Sequence, residues 1–181
     1  MALFRKGPSP FMTALAMIGA KPGDRALVAG RPDARLVAEV ARSTGLNGQT
    51  LLAAPASLRK AYEAAAAEAG VLIEMLDLPA DATDLPGADG THDLAVLHFD
   101  LHEIVGTTRQ QLARSALTAV RPGGRVILIE GRRRSGLLSK RAPTVPADAV
   151  LALLAGAGGV AARVIGSEDD VTYFETRRAR S

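Results

Sequence analysis

The sequence predicts an α/β fold: a mostly parallel sheet with helices on both faces and an antiparallel hairpin at its C-terminal end. Two observations support this prediction. Short apolar runs with β-branched residues, each bounded by turn residues, alternate with segments of helical period along most of the chain. The last stretch instead holds two alternating runs about the turn GSEDD, which indicates a hairpin that closes the sheet. We therefore expect seven strands, of which the last is antiparallel.

The five parallel strands are expected where apolar runs lie between turn residues. In chain order they are residues 25–30 (RALVAG), 49–54 (QTLLAA), 71–76 (VLIEML), 93–99 (DLAVLHF) and 125–131 (RVILIEG). Because helices separate them, a parallel arrangement with crossover connections is the simplest solution.

The helices are expected between these strands and at both ends of the chain. An N-terminal helix covers residues 11–20, with Ser9 as its N-cap and Pro10 in its first turn. Later helices are predicted at residues 33–43, 56–69, 107–120 and 147–158. We expect a single domain over residues 1–181, made of an N-terminal helical extension (1–23), a βαβ core of cofactor-binding type (24–131) and a basic loop, helix and hairpin (132–181).

Composition narrows the class of protein. The chain has 181 residues, 48% of them hydrophobic and 23% charged, as in globular proteins. It has no cysteine, which excludes a disulfide scaffold and cysteine-ligated metal and favours the cytoplasm. The apolar run at residues 11–20 is about half of the roughly 20 residues that a membrane span needs, so no membrane association is expected.

The composition argues against nucleic acid as a partner. The net charge is only +3, and aromatic residues make up 3% of the chain, without tryptophan. Proteins that bind single strands gain about 1–3 kcal/mol per base from aromatic stacking, for which this chain has few rings.

Three stretches carry a resemblance to a known family. They are DATDLPGADGTHDLAVLHF at residues 81–99, LHEI at 101–104 and LTAVRPGGRVILIE at 117–130. The last is the most specific, and its PGG also has a structural reason: proline ends a helix and glycines form the turn before a buried strand. Together these stretches resemble the small-molecule branch of the class I S-adenosylmethionine-dependent methyltransferases, the branch that includes ubiquinone and arsenite methyltransferases. The resemblance implies a Rossmann-like fold, S-adenosylmethionine as cofactor and a small-molecule methyl acceptor.

The front half departs from the family pattern. The family's G-x-G-x-G turn after the first strand falls on Gly30, Pro32 and Ala34, and its ribose-binding carboxylate after the second strand falls on Ala54. A proline ring fills space and removes an N–H, so the resemblance implies weakened or lost cofactor binding. The cofactor-binding residues that it implies are Gly30, Arg31, Pro32, Asp33, Ala34, Ala54, Asp81, Ala82 and His98.

A purely structural interpretation of residues 30–35 (GRPDAR) remains open. In it, proline starts a helix and Asp33 lies in the first turn, where the helix dipole favours a carboxylate.

Catalytic candidates follow the fourth strand. Asp100 and His102 come just after it, at the strand edge where open α/β sheets hold their active sites. An acid–base role beside the methyl acceptor is expected for them, whereas no metal site is expected.

Two other functions stay open on the sequence. The first is a non-catalytic relative that retains the fold as a binding or assembly subunit, with a protein partner or a second copy of itself. The second is binding of an anion or nucleic acid by the loop 132–141 (RRRSGLLSKR), which concentrates five positive charges.

Overall fold

The computed structural model describes residues 10–87, 90–131, 143–168 and 170–180. The helices are α1 (Met12–Ile18), α2 (Ala34–Thr44), α3 (Arg59–Ala69), α4 (Gly106–Ala119) and α5 (Ala147–Gly156). The strands are β1 (Arg25–Gly30), β2 (Gln49–Ala54), β3 (Glu74–Asp77), β4 (His92–His98), β5 (Val120–Glu130), β6 (Val160–Glu168) and β7 (Val171–Arg177). None of the helices in these ranges has both the length and the apolar character required to cross a bilayer.

The seven strands form one sheet in the order β3-β2-β1-β4-β5-β7-β6. β1 to β5 are parallel, and β7 runs antiparallel to both β5 and β6. The fold class predicted from the sequence, including the terminal antiparallel hairpin, is confirmed. The order reverses between β1 and β4, so the switch point where such sheets bind ligands lies at the carboxyl ends of these two strands.

Alternate residues of the central strands point to opposite faces of the sheet, and each face has its own core. Leu27, Leu97 and Leu128 pack with α4 and α5 in the first cluster. Val28 and Ile129 pack with α1, α2 and α3 in the second. Both faces are covered, which explains the continuous apolar runs of β1, β2 and β4.

The bounds of β1 and β2 match the prediction, and β4 lies one residue earlier than predicted, whereas β3 and β5 differ more. β3 begins at Glu74 because pairing with β2 starts there, opposite Leu51, and Leu72 before it is 90% exposed. β5 begins at Val120, since the PGG segment continues the strand across a register shift opposite His92.

Helix α1 also starts differently from the expectation. Phe11 occupies its N-cap position without a side-chain cap bond, and Ser9, the expected cap, lies outside the described residues. Gly19, in the left-handed conformation, ends the helix.

Candidate functional site

The turn after β1 meets the end of β4 at the switch point of the sheet. Gly30 has φ = +105° and pairs with His98. A β-carbon on Gly30 would lie 2.2 Å from the carbonyl oxygen of His98, and the N–H of Arg31 donates to that oxygen at 2.8 Å. The neighbouring strand therefore requires the glycine whether or not a ligand is bound.

The rest of the turn is held by helix α3. Pro32 is buried, and its carbonyl accepts a hydrogen bond from the hydroxyl of Tyr62 at 2.9 Å. Burial, assisted by the negative charge of Asp33, raises the pKa of Tyr62 to about 12, so the phenol stays protonated and remains a donor. This bond fixes the position of Pro32, the residue that the resemblance aligns with the central glycine of the family's turn.

Asp33 and Ala34 complete the turn. Asp33 is the N-cap of α2 and accepts a hydrogen bond from the N–H of Arg35 at 2.8 Å, so the expectation that it lies in the first turn of the helix is wrong. The extended backbone of Asp33 places it one residue before the helix, which begins at Ala34. Ala34 packs against the second core cluster.

The last residue of β2 is Ala54, at the position where the resemblance implies a ribose-binding carboxylate. Ala54 is 6% exposed, and its carbonyl accepts from the N–H of Leu78 at 3.0 Å. Its register partner on β3 is Asp77, whose carboxylate pairs with Arg59 at 2.7 Å. The acidic side chain opposite Ala54 is therefore on another strand and already engaged.

A small cavity opens at the carboxyl edge of the sheet. This edge cavity has a volume of about 200 Å³ and is bordered by Gly30, Arg31, Ala82, Phe99 and Asp100, together with residues 78–80. Ligand cavities usually measure roughly 300–1,000 Å³. The space is therefore small for a cofactor of the size that the resemblance implies.

A larger cavity lies beneath α1. This α1 cavity has a volume of about 530 Å³, and its walls include Arg31, Pro32, Asp33 and His98. The remaining walls are mainly apolar: Phe11, Ala14, Leu36, Leu58, Ile129 and Val171, with Tyr173. Its size is typical of a small-molecule site.

The residues that we predicted for cofactor binding thus do not lie around one cavity. Gly30, Arg31 and Ala82 border the edge cavity, and Arg31 borders the α1 cavity as well. Asp81 is exposed, and neither Asp81 nor Ala54 borders either of the two cavities.

The three polar residues at the end of β4 and just after it also lie in different places. His98 borders the α1 cavity, where its Nε2 lies 3.0 Å from the carbonyl oxygen of Gly131. Asp100 borders the edge cavity and precedes a short 3₁₀ helix at Leu101–Glu103. His102 lies 3.7 Å from the carboxylate of Glu103 and borders neither cavity.

Glu130, the last residue of β5, was not among the predicted site residues. It is 3% exposed, and its Oε1 accepts from the N–H of Val145 at 2.9 Å. Oε2 is buried without a hydrogen-bond partner among the described residues. Burial raises the pKa of Glu130, although the bond from Val145 and the charge of His102 oppose the rise. The sequence did contain a signal for Glu130: it is a charged residue that directly follows the buried apolar run VILI, residues 126–129.

Two further predictions concern a metal ion and the basic loop. Within residues 10–87, 90–131, 143–168 and 170–180 no group of three His, Asp or Glu side chains is placed to hold a metal ion. The loop 132–141 lies outside the described residues.

The chain resembles known proteins in sequence, although no protein-family model matches it. It is 32% identical over 129 residues to a ubiquinone/menaquinone biosynthesis C-methyltransferase UbiE of Teredinibacter turnerae, covering 70% of this chain and 51% of that protein. The chain thus spans about half the length of the curated relatives that it matches.

Solved structures agree on the fold. A SAM-dependent methyltransferase from Aquifex aeolicus superposes with a TM-score of 0.68 at 16% identity, covering 91% of this chain and 86% of that one. The [4+2]-cyclase SpnF superposes with a TM-score of 0.69 at 18% identity, covering 93% and 79%. The fold is that of the class I S-adenosylmethionine-dependent methyltransferases. In sequence, the chain is a methyltransferase-like protein of that class, similar to the UbiE enzymes.

Proposed function

We propose that this protein is a methyltransferase-like protein of the small-molecule branch in which binding of S-adenosylmethionine is weakened or lost. One observation carries the proposal: the turn after β1 is bound to its own neighbours. The N–H of Arg31 is engaged by His98, Pro32 has no N–H, and the carbonyl of Pro32 is engaged by Tyr62. A cofactor in the family's pose would need donors from this turn, as anionic and polar groups do at helix N-termini.

Two further features support the same proposal. The edge cavity is smaller than usual ligand sites, and Ala54 offers no carboxylate for ribose hydroxyls. A hydrogen bond to a charged group contributes about 1.5–3 kcal/mol, so its loss alone lowers affinity about tenfold to a hundredfold.

A small-molecule ligand remains part of the proposal. The α1 cavity has the volume for one, and its mainly apolar walls favour an apolar compound, with Arg31 and Asp33 as charged groups of opposite sign at the wall. If methyl transfer is retained, the cofactor residues are Gly30, Arg31 and Ala82, and Asp100 is the acid–base candidate that borders the same cavity. This assignment keeps residues 24–131 as the cofactor-type core.

A non-catalytic subunit, or a protein with different chemistry, is the alternative. One structural neighbour with this fold, SpnF, is a [4+2]-cyclase, so the fold by itself does not fix the reaction.

Calorimetric titration with S-adenosylmethionine and S-adenosylhomocysteine tests the proposal. We expect no binding, or binding no tighter than the millimolar range, by the native chain. The double variant Pro32→Gly, Ala54→Asp should bind at least about tenfold more tightly, because it restores space, an N–H and a carboxylate. The matched control is Pro22→Gly, Ala64→Asp, which makes the same changes at exposed positions and should gain nothing. Micromolar binding by the native chain would contradict the proposal.

A further inference from the structure

A third concave surface lies at the opposite edge of the sheet from the two cavities described above. It is bordered by the start of β4, the start of β5 and the end of β7, with α1 and β6 beside them. Its volume is about 610 Å³. β1 alone, six residues long, separates the two edges by roughly 16–20 Å. We call this surface the arginine groove.

Cationic side chains dominate the arginine groove. Of the described residues, only three carboxylates border it, namely Asp24, Asp93 and Glu175. The cationic residues are twice as many: Lys21, Arg121, Arg125, Arg163, Arg177 and Arg180. The groove therefore carries a net positive charge at neutral pH.

Glu175 organises the centre of this groove. Its side chain is 5% exposed and contacts three guanidinium groups: Arg163 at 2.6 Å, Arg125 at 2.8 Å and Arg177 at 3.4 Å. Burial acts to raise the pKa of Glu175, but the hydrogen bonds from Arg163 and Arg125 hold it below its usual range. One carboxylate thus fixes three arginines in place and neutralises only one of their charges.

Of the three remaining cations, one is in an ion pair and two form none within the described ranges. Arg121 pairs with Asp93 at 2.6 Å. Lys21 and Arg180 are exposed and form no ion pair with any residue in the described ranges. The groove therefore combines arginines that Glu175 holds in position with two exposed cations, Lys21 and Arg180, that form no ion pair within the described ranges.

We propose that the arginine groove binds a compact anion with two or more phosphate groups. Guanidinium groups match phosphate oxygens in a bidentate geometry, and several of them fixed around one buried carboxylate lose little freedom on binding. The volume exceeds that of a single oxyanion, which favours a ligand with more than one phosphate. No aromatic side chain in the described part of the chain borders the groove, so these residues offer no stacking surface for the bases of nucleic acids.

Calorimetric titration of the full chain with pyrophosphate tests this proposal at low and at physiological salt. We expect one site per chain, weaker binding of orthophosphate, and affinity that falls as salt increases. The variant Lys21→Gln, Arg180→Gln removes two cations that form no ion pair within the described ranges. It should lower the affinity about tenfold or more, since each lost contact to phosphate is a charge-assisted bond.

The matched control is Arg35→Gln, Arg114→Gln, which removes the same charge from exposed positions on α2 and α4. Binding should be nearly unchanged in this control. An equal loss of affinity in both double variants would show that only net charge matters, and would overturn the proposed site. Absence of pyrophosphate binding at millimolar concentration would overturn it as well. Tighter binding of a DNA or RNA oligonucleotide with the same sensitivity to Lys21→Gln, Arg180→Gln would overturn the assignment to a small phosphate compound.

Discussion

Replacing Gly30 by alanine tests why a glycine stands at the end of β1. A residue with a β-carbon at φ = +105° is strained by about 1–3 kcal/mol. The same atom would lie 2.2 Å from the carbonyl oxygen of His98 and 2.8 Å from its carbon, both backbone atoms that cannot rotate away. Forced displacement in a packed region typically costs about 1–3 kcal/mol more. We therefore expect Gly30→Ala to lower the free energy of unfolding by about 2–6 kcal/mol.

Urea unfolding followed by circular dichroism measures this change without any ligand. Gly70→Ala is the control, because Gly70 has φ = +66° at the end of α3 and open space around it. It should cost only the backbone strain, about 1–2 kcal/mol. A loss in Gly30→Ala no larger than the loss in Gly70→Ala would refute the reasoning that β4 requires the glycine, and would return Gly30 to a role in ligand binding alone.

Two further variants probe the polar groups near the same edge. Tyr62→Phe should lower the free energy of unfolding by about 1–3 kcal/mol in the same urea assay, because it leaves the buried carbonyl of Pro32 without its donor; an unchanged midpoint would contradict this. Glu130 has a raised pKa in the folded chain, so it contributes stability below the usual glutamate pKa and loses that contribution as pH rises through the raised value. Glu130→Gln should therefore gain stability relative to the native chain between about pH 4 and pH 7; parallel pH profiles of the two proteins would contradict it.

The fold was largely predictable because its information is local. Residues 25–30 and 49–54 are apolar runs bounded by turn residues, and they form β1 and β2 with the expected bounds. Residues 71–73 are equally apolar but do not form a strand, since strand pairing with β2 begins only at Glu74. Pairing is a property of two segments together, which a single run of sequence does not contain.

The candidate site was less predictable for the same reason. The hydrogen bond from Tyr62 to Pro32 joins residues 30 positions apart, and nothing in either segment indicates it. The division of the predicted residues between two cavities depends on which way each side chain leaves its strand end. Asp33 was expected in the first turn of the helix but is its N-cap, one residue earlier. The two positions cannot be told apart from sequence, because both favour an acidic residue at the start of a helix.

Arg31 borders both the edge cavity and the α1 cavity. A substitution of Arg31 would therefore alter the lining of both cavities at once. Loss of ligand binding in such a variant would not by itself identify which cavity holds the ligand, so variants at residues that border one cavity alone are needed to assign it.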